Sequence, residues 1–192
     1  FLRSSVCPSA RLSHSSPHGV YHSEMRPIPA AGLSIGVLCS LWLFMMISTG
    51  WYTDPAKLNL FVIVYIVLLG GLIWGLRRTA AEGRPYSGQV VAGTQMSVIA
   101  GAVLFVASFV LTGFLFPDYF DRVNEFAREV MAGEGKSEEE IQQVLTDAAP
   151  SLTPVRNALA VAVGTVVRGI AATALISVWV RAERKPVEGG RP

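Results

Sequence analysis

The chain has 192 residues, of which 16% are charged and 51% hydrophobic, and its formal net charge is +2. Soluble domains usually carry about 25% charged residues, so the composition points away from one. A charge this small, with no basic stripe interleaved with aromatics, gives no ground for a nucleic-acid partner, and Cys7 and Cys39 offer neither a disulfide framework nor zinc-ligand spacing.

Residues 1–24 are rich in Ser, Pro and His and lack hydrophobic periodicity. They are expected to be disordered and without function, with Met25 reading as a natural start. His14, His18 and His22 step by four, which on a helix would align three imidazoles as metal ligands. Pro17 and Gly19 oppose that helix, so no metal is expected there.

Residues 31–52 form the first predicted span. No charge falls between Arg26 and Asp54, and a bilayer core of about 30 Å needs about 20 helical residues. The run exceeds the 7–15 residues of a signal-peptide core. Gly32, Gly36 and Ser40 give one small face for close helix approach. Trp51 and Tyr52 read as an interfacial belt.

The second span is predicted over 58–76, ended by Arg77 and Arg78. Its Val and Ile content suits a strand in water, but lipid demands internally paired backbone, and therefore a helix. Gly71 and Gly75 make another small pair. The third span is predicted over 90–116, with Gly93, Ser97 and Gly101 on its packing face. Gln89, Thr94 and Gln95 make its first turns polar.

The polar stretch 118–149 lies between the third span and the fourth. Tyr119, Phe120, Val123, Phe126 and Val130 recur at helical spacing, with charges elsewhere. Gly133 and Gly135 break that helix. Ser137 with Glu140 reads as a capping box opening a second one, with Ile141, Val144 and Leu145 on one face. An amphipathic helical hairpin is predicted, its apolar faces resting on the membrane or the bundle top. Thr153 and Pro154 form an N-cap and N1 pair that opens the fourth span, 154–180. Thr165, Gly169 and Thr173 line one small face of it. The tail 187–192 is expected to be disordered.

Lysine and arginine distribution sets topology. Arg26, Arg77, Arg78, Arg84, Arg181, Arg184, Lys185 and Arg191 would share one side. Lys57, Arg122, Arg128, Lys136 and Arg156, within an acidic hairpin and its flanks, would share the other. Both termini are therefore expected in the cytoplasm, and 118–153 outside it.

Arg168 is the candidate functional residue. It lies near the middle of its span, where an arginine costs about 2.5–3.5 kcal/mol even on the lenient insertion scale. No acid occurs in any predicted span. Ser40, Trp42 and Tyr65 are expected at similar depth. Arg168 is expected to face the bundle interior, supporting packing or an anion site. No catalytic constellation, cofactor or metal site is read from the sequence. Arg168 cannot serve as a general base at neutral pH.

The loop pattern carries a family resemblance across 25–186. A Gly-Arg-Pro-Tyr-Ser-Gly-Gln linker enters a Gly-containing third span, which leaves through Pro-Asp-Tyr-Phe. A Gly-Lys-Ser-Glu-Glu-Glu-Ile hairpin and a Pro-led fourth span follow. The chain resembles the bacterial four-helix membrane family domain of unknown function 4199. The resemblance implies that architecture and a bacterial inner membrane, and it transfers no catalytic or binding residue.

The fold expected is all-α: a four-helix transmembrane bundle with an extramembrane amphipathic hairpin between the third and fourth spans. The role expected is a non-enzymatic scaffold or accessory subunit, with the bilayer, a second copy or another membrane protein as partner. The alternative is a small oligomeric transporter or channel component with Arg168 near an anion or substrate path.

Overall fold

The computed structural model describes residues 27–81 and 85–182, with side chains to 179. The segment 1–24 with its three histidines, the linker residue Arg84 and the tail 187–192 lie outside the described residues. Six α-helices run in order: α1 (Pro27–Ser48), α2 (Val62–Ala81, entered through a 3₁₀ turn Leu58–Phe61), α3 (Tyr86–Val110), α4 (Tyr119–Gly133), α5 (Glu138–Ala148) and α6 (Pro154–Ala182). Pro27–Ser48, Leu58–Ala81, Tyr86–Leu115 and Pro154–Trp179 are each long and apolar enough to cross a membrane.

Helix ends follow local chemistry more than hydropathy. α1 stops at Ser48, where Gly50 takes a left-handed φ of 69° and Trp51–Thr53 form a separate 3₁₀ turn. α2 passes its two arginines and reaches Ala81, because both guanidinium groups find aromatic faces. Arg78 lies 4.4 Å from the Trp74 ring centroid and Arg77 lies 5.3 Å from that of Trp179. α3 begins at Tyr86 because its polar first turn is useful inside. With its nitrogen set toward α2, the buried Gln89 amide donates to the Leu76 carbonyl and to Thr79 Oγ1, and accepts from the Ala80 N–H. That pins the last turns of α2 to the first turn of α3 and leaves the buried Gln89 amide satisfied. At its far end α3 widens into a π turn, Leu111–Leu115, closed by the Phe116 N–H on the Leu111 carbonyl at 2.8 Å.

α3 is the central element, sharing its broadest interfaces with α6 and α1. Ala31, Ile35, Leu72, Leu76, Met96 and Ala100 fill the centre from α1, α2 and α3, all at or below 1% exposure. A polar tie reinforces the hairpin end of the α3–α6 seam, where the Asn157 amide donates to the buried Ser108 hydroxyl at 3.1 Å; the Thr112 hydroxyl turns back on its own helical run and donates to the Ser108 carbonyl.

The hairpin stands off the bundle and is rooted at one end. Tyr119 at the start of α4 stacks on Tyr52, with centroids 5.0 Å apart and ring planes 27° apart. Ile47, Leu111, Phe116 and Val123 close around that pair. α4 ends in a Schellman motif: the Gly135 N–H bonds the Ala132 carbonyl and the Lys136 N–H bonds the Met131 carbonyl. Gly135 supplies the required positive φ of 82°. α5 opens with the capping box expected of Ser137 and Glu140. Met131 and Ile141 are the buried residues of α4 and α5. The Arg128 guanidinium donates from α4 to the Glu138 carboxylate and the Gln142 amide oxygen of α5.

Candidate functional site

The small residues predicted to form packing faces are engaged within the chain. A Cβ built on Gly32 would lie 2.8 Å from Ile99, and one on Gly36 would lie 2.7 Å from Val103, so both seat α1 on α3. Gly71 receives Ile35 of α1. Gly75 receives Met96 of α3 and Ala31 of α1, at 2.6 and 2.9 Å. On the α3–α6 seam Gly93 receives Thr173, Gly169 receives Ser97, and Gly101 receives Val166 and the Ala162 carbonyl. Thr165 is buried on the same helix and its hydroxyl donates to the Val161 carbonyl at 2.8 Å. Ser40 turns back on its own helix and donates to the Gly36 carbonyl at 2.7 Å.

Arg168 sits apart from this packing. By rise per residue its Cα lies about 21 Å from Pro154 and about 17 Å from Trp179, near the middle of α6. Its side chain leans back one turn, as helical side chains do, and rests over Gly164. One guanidinium nitrogen is only 2.9 Å from where a Cβ on Gly164 would stand. The glycine is therefore a notch in which the guanidinium lies. The Tyr65 ring of α2 backs it, with its centroid 5.5 Å from the guanidinium carbon.

The guanidinium borders a cavity of about 300 Å³. α1 contributes Cys39 and Leu43, the 3₁₀ turn before α2 contributes Phe61, α2 contributes Val64, Tyr65 and Leu68, α3 contributes Leu104, and α6 contributes Val161, Thr165 and Arg168. The wall is apolar apart from the arginine and the two hydroxyl-bearing side chains, and the Thr165 hydroxyl is already spent on backbone. Arg168 itself remains exposed on its outer side. The cavity is walled from all four spans and reaches Cys39, Leu68 and Leu104 of the buried core, with Arg168 at its exposed side.

No Asp or Glu occurs in the four spans. Among the described residues, the Tyr65 ring is the sole partner of the Arg168 guanidinium, and its N–H donors have no acceptor. Of the side chains expected at this depth, Tyr65 joins Arg168. Ser40 lines a separate apolar groove between α1 and α3, and Trp42 keeps a buried, unpaired ring N–H. Gly164 escaped the sequence reading, although its spacing of four before Arg168 was a usable signal.

Among the described residues no cluster of three His, Cys, Asp or Glu side chains is placed to hold a metal ion. Outside the spans, a side-chain hydrogen bond from Lys57 and the Ala56 N–H hold the Asp54 carboxyl below its ordinary range. Burial at the hairpin root raises the Tyr119 phenol.

The profile of a family described as "Protein of unknown function (DUF4199)" matches residues 31–182. No curated protein and no solved structure matches the chain.

Proposed function

The chain belongs to the DUF4199 family, and on that premise we propose that this multi-pass membrane protein is a non-enzymatic accessory subunit or scaffold of a bacterial inner membrane. Both termini face the cytoplasm in this reading, and the hairpin lies outside it. The charge distribution supports that orientation, because arginines and lysines gather on the side opposite the hairpin.

The observation that carries the role is the filled centre of the bundle. Ile35, Leu72, Leu76 and Met96 meet there, essentially without accessible surface, and close packing of apolar side chains at that level supports a structural body over a conduit. A second copy or a partner subunit would dock on other faces, since the glycine faces are occupied within the chain. The flank bearing Val37, Leu41 and Val106, exposed and apolar, is one such face.

The cavity at Arg168 favours the second reading, a transporter or channel component. Flux through reconstituted liposomes separates the two, measured with oligomeric state for the wild type and for Arg168→Leu. The accessory role predicts anion and cation flux equal to that of empty liposomes for both proteins. Wild-type flux lost in Arg168→Leu would establish the transport reading instead.

A further inference from the structure

We propose that the Arg168 cavity binds one single-chain carboxylate drawn from the bilayer: a long-chain fatty acid, with its carboxylate on the guanidinium and part of its tail in the cavity. This site requires the fold and not the accessory role.

Three properties of the site select that ligand. The first is charge. The guanidinium lies near mid-span with no acceptor for its N–H groups among the described residues, and an ionised group in lipid is costly until it is paired. The Tyr65 ring centroid lies 5.5 Å from the guanidinium carbon and Gly164 opens the space in which the guanidinium lies. A ring face does not take the place of an acceptor oxygen, and the guanidinium's fork of N–H donors matches a carboxylate bidentately.

The second property is shape. About 300 Å³ is at the lower end of the ~300–1,000 Å³ typical of ligand pockets. Leu43, Phe61, Val64, Leu68, Leu104 and Val161 offer walls for an alkyl segment. A two-chain lipid body is too large for it.

The third property is access. Phe61, Tyr65 and Arg168 line the cavity and are themselves exposed on spans that cross the bilayer, so the mouth faces lipid. A ligand arriving there is dissolved in the bilayer. A carboxylic acid can travel through hydrocarbon in its neutral form. It ionises against the guanidinium, whose charge lowers its pKa, and its proton passes to the water that a charged side chain draws into the bilayer. A phosphodiester headgroup has no neutral form at neutral pH and stays at the interface, roughly 15 Å from the midplane of a core about 30 Å thick.

The experiment is equilibrium binding of palmitate to the full chain in phosphatidylcholine nanodiscs, with hexadecanol and phosphatidylglycerol as competitors. Arg168→Gln, Arg168→Lys and Gly164→Val are compared with wild type. Palmitate should saturate at one per chain. Hexadecanol and the Arg168→Gln variant should each weaken binding at least about ten-fold, the loss expected for a charge-assisted pair. Arg168→Lys should retain part of the affinity, and Gly164→Val should lose it with the arginine still present. Equal binding of hexadecanol, displacement of palmitate by equimolar phosphatidylglycerol, or unchanged affinity in a folded Arg168→Gln variant would each overturn the site. Should Arg168→Gln fail to fold, the wild-type comparison of acid with alcohol decides alone.

Discussion

Ser97 and Gly169 occupy the same point on the crossing of α3 and α6. A Cβ on Gly169 would overlap the Ser97 hydroxyl and stand 2.6 Å from the Ser97 Cβ. One turn away the roles reverse, with Gly93 on α3 receiving Thr173 of α6. Replacing glycine by alanine in a helix interior normally stabilises by about 0.5–1 kcal/mol. Overpacking a filled site costs about 1–3 kcal/mol, so the clash wins here. Gly169→Ala should lower the detergent unfolding midpoint. Ser97→Gly in the same chain should restore most of the loss, because it moves the notch to the other helix. Equal midpoints for the single and double variants would show that the two residues do not share the site.

Neighbouring glycines on α2 give a sharper contrast. Gly70 has no atom within 4 Å of a built Cβ, while Gly71 receives Ile35 of α1. Gly70→Ala should be neutral or slightly stabilising, by about 0.5 kcal/mol from helix propensity. Gly71→Ala should destabilise by about 1–3 kcal/mol, because the Ile35 branch has to leave its rotamer or the helices must separate. Thermal unfolding of the two variants side by side checks this. A larger loss at Gly70 would place the wrong face of α2 against the bundle.

These contacts show what could be read from residues alone. The four spans were legible because charge vanishes over lengths that match a bilayer, and the hairpin because Ser137 and Glu140 announce a helix start. The small faces were legible as spacings of four. Their partners were not, since only the arrangement of spans decides that Gly36 meets Val103 and not a residue of α6. Helix ends misled where a polar side chain serves the interior, as Gln89 does for the end of α2. Gly164 was overlooked because its part is to leave room for another side chain, which hydropathy does not record.

The Asp54–Lys57 pair gives the membrane-edge turn a pH dependence. The Asp54 carboxylate lies 2.8 Å from the Lys57 ammonium and accepts the Ala56 N–H at 3.0 Å. Both contacts hold its pKa below the ordinary value. A depressed folded pKa stabilises above the unfolded value, about 3.9 for aspartate. That contribution is lost as pH falls through the folded value. Because the pair is open to solvent, the effect is small and is screened by salt. The midpoint difference between wild type and Asp54→Asn should be present at neutral pH in low salt. It should shrink below the unfolded pKa and in high salt. A difference that grows on acidification would reverse the sign and remove the pair as its cause.

The hairpin should come apart in two separable steps, because its root and its cap rest on different residues. Tyr119 ties α4 to the bundle through its stack on Tyr52, and an aromatic pair adds about 0.5–1.5 kcal/mol beyond the area it buries. Ser137 caps α5 and touches nothing in the bundle that bears on its capping. Its loss to alanine costs about 1 kcal/mol of local helix stability. Ser137→Ala should therefore speed amide exchange in the first turns of α5 while leaving α4 and the spans unchanged. Tyr119→Ala should speed exchange across α4 and in the Trp51–Thr53 turn, and expose the 118–149 segment to protease. The order matters for mechanism: α5 reaches the bundle mainly through α4 and the Ala149–Ser151 turn, so loosening the root frees both helices and fraying the cap frees one. Exchange that rises equally in α4 and α5 for both variants would mean the hairpin opens as a single cooperative unit, with Arg128 and its bonds to Glu138 and Gln142 as the link that makes it so.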